Sequence, residues 1–130
     1  VVIEMSVIEP KVIYKLKFYE KERELFPVEF TTKISQHDVI KIGGKLSRHF
    51  KFTEPDFYFR GSIDSGTATL SSVPRLIRLG VDPSWGMFLH ELCHVYNKER
   101  YNNSHHNRRL MKTLKRFILY CRKKDFWRLT

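Results

Sequence analysis

Apolar positions in the first third of the chain alternate with a period of two: Val12, Tyr14, Leu16 and Phe18 are interleaved with Ile13, Lys15 and Lys17, and Pro27-Val28-Glu29-Phe30 follows. This pattern predicts extended strands. The period then changes. Ser35-x-x-Asp38 has the form of a capping box, and Val39, Ile42, Leu46 and Phe50 recur at spacings of three and four, predicting a helix. Gly43-Gly44 weakens that helix by about 1 kcal/mol per glycine relative to alanine. Phe57-Tyr58-Phe59 and Thr67-Ala68-Thr69-Leu70 flank a turn-rich Ser62-Ile63-Asp64-Ser65-Gly66 and predict a β-hairpin, with the aromatics buried on one face and exposed on the other. Val73-Pro74-Arg75-Leu76-Ile77-Arg78 fits a short helix or an irregular connection.

Asp82-Pro83 offers an N-cap oxygen and a proline at the first helical position, so a helix is expected from about Pro83 to Lys98. A loop over Arg100 to Ser104 follows, and Ser104 is the expected cap of a last helix. That helix has an apolar stripe of Leu110, Met111, Leu114, Phe117, Ile118 and Cys121, with Arg108, Arg109, Lys112, Lys115 and Arg116 mostly on the other side. A length of 130 residues with 42% hydrophobic residues is enough for one core and too short for two, so residues 1–130 are expected to form a single domain. No apolar run is long enough to span a membrane, and Val1-Val2-Ile3-Glu4 lacks the flanks of a signal peptide. The expected location is intracellular, cytoplasmic or nucleoid/nuclear, with no membrane partner. Cys93 and Cys121 stand 28 positions apart with no CxxC, which reads as two free thiols.

Charge changes the picture through its distribution. Residues 1–97 hold 13 Lys/Arg against 12 Asp/Glu, whereas residues 98–130 hold 11 against 2, so nine of the ten net positive charges fall in the last quarter. Such a segment suits a polyanion, DNA or RNA ahead of a membrane surface, with Arg108, Arg109, Lys112, Lys115 and Arg116 as candidate contacts.

The chemistry-bearing motif is His90-Glu91-Leu92-Cys93-His94, an HExxH on the helix expected from Pro83. Residues four apart advance about 400°, so both imidazoles leave the same face and reach one metal ion. Two neutral imidazoles suit Zn²⁺, which lowers the pKa of a bound water to about 7, and Glu91 beside it takes the proton as that water attacks a peptide carbonyl. Cys93, one residue before His94, points about 100° away and reads as core. An open zinc site needs a third protein ligand. The metzincin extension HExxHxxGxxH fails, because Asn97 stands at the glycine and Arg100 at the last histidine. Glu99 points off the metal face, and Asp125 is the only carboxylate beyond it, leaving His105 and His106 at the start of the last helix. His37 and His49 read as solvent-exposed; Tyr96, Tyr101 and Arg108 are candidates for stabilising an oxyanion.

At His106-Asn107-Arg108-Arg109-Leu110 and Thr67-Ala68-Thr69-Leu70-Ser71, together with HExxH, the chain resembles the SprT-like zinc metallopeptidases and the related YgjP-type bacterial proteins. The likeness covers residues 57–118 well and the N-terminal third loosely; the glycine often found beside the third histidine is missing. It implies an α+β, zincin-like single domain, with a small antiparallel or mixed sheet packed against the HExxH helix and a C-terminal helix. It further implies His90, His94 and His106 as Zn²⁺ ligands, Glu91 as general base, and a protein or peptide substrate. The Spartan branch acts on proteins crosslinked to DNA, a comparison that the basic segment 98–130 invites. The alternative is a nucleic-acid-binding protein on an inactive zincin-like scaffold. A closed structural zinc site would need a fourth ligand such as His105.

Overall fold

A computed structural model describes residues 10–61 and 64–126, with side chains from Lys17 onward. Residues 1–4 and the Ser62-Ile63 pair of the expected turn lie outside the described residues. The elements in chain order are α1 (Pro10–Leu25), α2 (Pro27–Thr31), α3 (Gln36–Phe50), β1 (Asp56–Phe59), β2 (Gly66–Thr69), β3 (Leu76–Leu79), α4 (Trp85–Tyr101) and α5 (Arg108–Lys123). The fold is α+β.

The N-terminal strands expected from the period-two pattern are helices instead. Glu20-Lys21-Glu22-Arg23-Glu24-Leu25 is made of strong helix formers, and the inward face of α1 carries Phe18 and Glu22, both buried. A carboxylate at a core-facing position hides the 3.6-residue period from any hydrophobicity reading. Pro27 opens α2, where its missing N–H costs nothing, and α2 buries Glu29 and Phe30. Glu29 is fixed by Arg122 of α5, whose Nε and Nη2 donate to its two oxygens at 2.9 and 2.7 Å.

Helix α3 starts where the capping box places it, with Ser35 Oγ accepting from Asp38 N at 3.1 Å. Gly43 lies against the Phe57 ring, and a Cβ there would sit 2.8 Å from a ring carbon; this close approach explains a helical glycine.

The sheet is mixed, with strand order β1-β3-β2. β1 runs parallel to β3, and β2 antiparallel to it, so β1 and β2 do not form the expected hairpin. The segment that fitted a helix or an irregular connection supplies the central strand, with Ile77 and Leu79 fully buried. Turn chemistry around residues 62–66 reported a reversal but not the partner, and the most apolar strand took the middle. Phe57 and Phe59 pack on the core while Tyr58 is exposed.

Helix α4 is the centre of the molecule. β2 and β3 lie on one side, α2 on another, and α5 on a third. Residues from Trp85 to Asn97 are therefore buried nearly all round, and the C-terminal helix packs on α4. The N-cap of α4 is Ser84, not Asp82: Ser84 Oγ accepts from Met87 N at 3.1 Å, and Asp64 Oδ1 accepts from Ser84 N at 3.0 Å. Pro83 stays outside the helix because its carbonyl accepts from Ile34 N at 3.0 Å in the bridge between Lys33 and Ser84. Helix α4 also runs past Lys98 to a left-handed cap at Asn102. The N-cap of α5 is Asn107, accepting from Arg109 N and Leu110 N, so Ser104 is not its cap and both His105 and His106 precede the helix. The apolar stripe of α5 is buried through Leu110, Leu114, Phe117, Ile118 and Cys121, and Thr113 Oγ1 donates to Asn97 Oδ1 at 2.7 Å across the α4–α5 interface.

Cys93 and Cys121 are free and buried. Burial raises the Cys121 thiol from 9.0 to about 12 and pushes Cys93 well above 9.0. In the unfolded chain these thiols ionise first, so the folded state's advantage is intact below pH 9 and is lost as pH climbs from 9 towards 12. Urea unfolding should show stability falling over that range by up to about 1.4 kcal/mol per pH unit for Cys121. The slope should flatten in Cys121→Ala; an unchanged slope in that variant would assign the loss to other groups.

Candidate metal centre

Two ligand-type side chains come from α4 and one from the loop ahead of α5. His90 and His94 are one turn apart on α4 and buried; His106 is half-buried. Their ring edges converge, with His90 Nε2 3.2 Å from His94 Nε2 and 3.3 Å from His106 Nε2, and the three ligand atoms all within 4.8 Å of one another. Of the two histidines left open by spacing, the structure gathers His106. His105 is exposed, its backbone N–H held by Asn103 Oδ1 at 3.1 Å.

The far side of the rings explains their orientation. His94 Nδ1 lies 3.0 Å from the carbonyl oxygen of Ser104 and 2.6 Å from its Oγ. A carbonyl can only accept, which assigns the ring proton to Nδ1 and leaves Nε2 with a lone pair facing the cluster. His90 Nδ1 lies 2.7 Å from Oε2 of Glu22 on α1, a carboxylate with no exposed surface. Burial pushes the Glu22 carboxyl up to about 8, against the pull of Arg23, and its Oε1 is buried without a hydrogen-bond partner. When Glu22 is ionised, His90 Nδ1 donates to it and His90 Nε2 is a second lone pair aimed inward; when Glu22 holds its proton, it donates to Nδ1 and the Nε2–H of His90 faces the neighbouring rings instead. In the ionised form two unprotonated nitrogens 3.2 Å apart repel, and a cation between them reverses that. The two spacings from His90 suit one: nitrogens 2.0–2.1 Å from a tetrahedral metal are about 3.3 Å apart. The residues therefore fit a metal held by three imidazoles, two of them oriented by hydrogen bonds on the opposite nitrogen.

Glu91 is buried beside the cluster and packs under the start of β2. A Cβ on Gly66 would sit 2.8 Å from Glu91 Cγ and 3.0 Å from its Oε2, so the edge strand reaches this carboxylate only because residue 66 is glycine. The third wall comes from α1. The Phe18 ring meets His90 and His106 edge-on at centroid distances of 5.8 and 5.3 Å, and Tyr19 stands 5.5 and 5.2 Å from the same rings. Burial, with the nearby Glu91 and Glu22, raises the Tyr19 phenol from 10.0 to about 12, with Arg23 opposing.

Tyr96 and Tyr101 stand away from the histidines. Tyr96 is buried among Phe50, Phe52 and Phe117, and its hydroxyl accepts from Arg116 Nη1 at 3.3 Å. Tyr101 lies under the Arg109 guanidinium at 4.1 Å. Arg108 borders the same cleft as His106. Glu99 accepts from Thr53 N at 3.1 and 3.0 Å, turned away from the cluster, and the rings of His37 and His49 are exposed. Arg108, Arg109, Lys112, Lys115 and Arg116 are all exposed, and all but Lys115 line one groove with Tyr101 and Thr113.

Glu22, Tyr19, Phe18, Ser104 and Gly66 are the site residues that sequence reasoning missed. Phe18 ends the period-two run that predicts a strand, Tyr19 and Glu22 lie just beyond it with no signal of their own, the Ser104 hydroxyl suits a helix cap, and Gly66 suits a turn. Only Ser104, two positions before the His106 ligand candidate, had a local signal: a hydroxyl that close to a histidine is available to orient a neighbouring one.

The fold is a small α+β domain in which three histidines that could hold one metal ion lie close together beside a buried glutamate. No known family model, curated protein or solved structure matches the chain. Among the described residues, no helix is long and apolar enough to cross a membrane.

Proposed function

We propose that the protein is a small zinc-dependent peptidase of the SprT-like kind, in which His90, His94 and His106 hold Zn²⁺ and Glu91 is the general base. The observation that carries this reading is the convergence of the three imidazole Nε2 atoms beside the buried Glu91. Zinc, when bound, supplies Lewis acidity that lowers the pKa of a water and polarises the substrate carbonyl. Glu91 takes the proton from the attacking water and returns it to the departing amine. Ser104 holds His94, and Glu22 in its ionised form holds His90, in the tautomer that presents Nε2. Tyr19, whose ring lies beside those of His90 and His106, is the donor we assign to the developing oxyanion, in preference to the buried Tyr96. Phe18 excludes water from the His90–His106 side. The test is hydrolysis of an unfolded protein substrate by the zinc-loaded protein, with Glu91→Gln alongside.

A second reading has its own observation. The groove lined by Tyr101, Arg108, Arg109, Lys112, Thr113 and Arg116 contains no carboxylate among the described residues, and Arg109 stacked on Tyr101 offers a planar cation to a phosphate. This groove suits DNA or RNA and is compatible with peptidase activity. Duplex DNA binding should weaken steeply with salt and fall in Lys112→Glu; salt-independent binding, or none, would remove the reading.

A further inference from the structure

A second cleft opens directly beside the third histidine. It has a volume of about 420 Å³ and is lined by Lys17, Phe18 and Lys21 of α1, by His106, and by Arg108 and Met111 of α5. Its floor is apolar, because the Phe18 ring is buried and Met111 is half-buried against the core. Its rim is cationic. Lys17 and Lys21 are four residues apart and leave the same face of α1, Arg108 stands opposite on α5, and all three are exposed. Among the described residues, no carboxylate lines the cleft.

The chemistry of this lining selects its ligand. An apolar floor takes up a large hydrophobic side chain, and three cations with no carboxylate among the described lining residues favour an anion carried next to that side chain. His106 is at once a wall of the cleft and a member of the histidine cluster, so whatever fills the cleft lies next to the reacting centre. We propose that this cleft is the substrate-selecting subsite of the peptidase, and that it takes a large apolar residue followed by an acidic residue in an internal stretch of the substrate chain. The inference rests on the peptidase reading above. Lys17, Lys21 and Arg108 act on selection, and Glu91 on chemistry.

The experiment separates the two. Fluorescein-labelled Ala-Ala-Phe-Asp-Ala-Ala amide and its Phe-Lys counterpart are titrated into Glu91→Gln protein, with and without one equivalent of zinc, and binding is followed by anisotropy. The zinc content of each sample is measured in parallel. The acidic peptide is expected to bind at least tenfold more tightly than the lysine peptide. In the Lys17→Glu/Lys21→Glu double variant that preference should vanish or invert while zinc content stays the same. Equal affinities, a preference that survives the double variant, or no binding of either peptide up to millimolar concentration would overturn the subsite. So would selective binding of a peptide that ends in phenylalanine with a free carboxylate, which would assign the cations to a chain terminus. Failure of the wild-type protein to take up zinc would remove the peptidase reading, and the charge preference of the metal-free samples would still decide the subsite.

Discussion

Glu91→Gln is expected to lower peptide hydrolysis by the zinc-loaded protein by a factor of about 10² to 10⁴, with the metal retained. Glutamine has the same shape, so the packing under Gly66 and the position of β2 survive. What it lacks is the capacity to take a proton from water and return it to the amine. None of the three convergent nitrogens belongs to residue 91, so metal content should be unaffected. The measurement is the rate on an unfolded protein substrate at saturating zinc, together with the metal-to-protein ratio. An unchanged rate would remove Glu91 from the mechanism. A fall in rate accompanied by loss of metal would instead make it a support of the site.

Glu22→Gln is expected to reduce metal affinity by about 10- to 100-fold, the usual effect of losing a carboxylate that orients a metal-bound histidine. Burial keeps Glu22 largely protonated in the metal-free protein; a cation held by the His90 ring favours the ionised form, in which the carboxylate accepts from His90 Nδ1, 2.7 Å away, and lends negative charge to a ring whose other nitrogen faces the cluster. The neutral amide keeps the volume and loses the charge. Because burial opposes ionisation of Glu22, the metal-free variant should be no less stable than the metal-free parent, while the zinc-loaded variant loses stability. A competition titration against a chelator, paired with thermal unfolding in both states, reads the two effects separately. A residue that served packing alone would weaken both states equally.

How much of this could be read in the chain depended on where each signal resides. HExxH is a local pattern, and the geometry of a helix is enough to place His90 and His94 on one face with Glu91 beside them. The last helix was equally legible, since Leu110, Leu114, Phe117, Ile118 and Cys121 bury one stripe of a surface helix. Helix α1 was not. Its alternating apolar residues imitate a strand, and its buried face includes Glu22, whose inward position is set by His90, a partner 68 residues away. The same holds for β3: Leu76–Leu79 is central because β1 and β2 flank it, a fact of tertiary pairing that four residues cannot announce. Ser104 shows a third kind of miss. Its hydroxyl suits a helix cap, and the fold uses it on His94 while Asn107 takes over the cap. Ligand candidates were thus visible in the sequence, and the residues that orient them were not, because orientation depends on contacts between distant segments.

The central claim is that His90, His94 and His106 hold one metal ion, and zinc content tests it most directly. Elemental mass spectrometry on protein dialysed against a weak chelator would compare the parent chain with His106→Ala and His105→Ala. The account predicts about one zinc per chain in the parent and in His105→Ala, and loss of zinc in His106→Ala. Parent protein that folds without zinc, or zinc retained in His106→Ala and lost in His105→Ala, would contradict it.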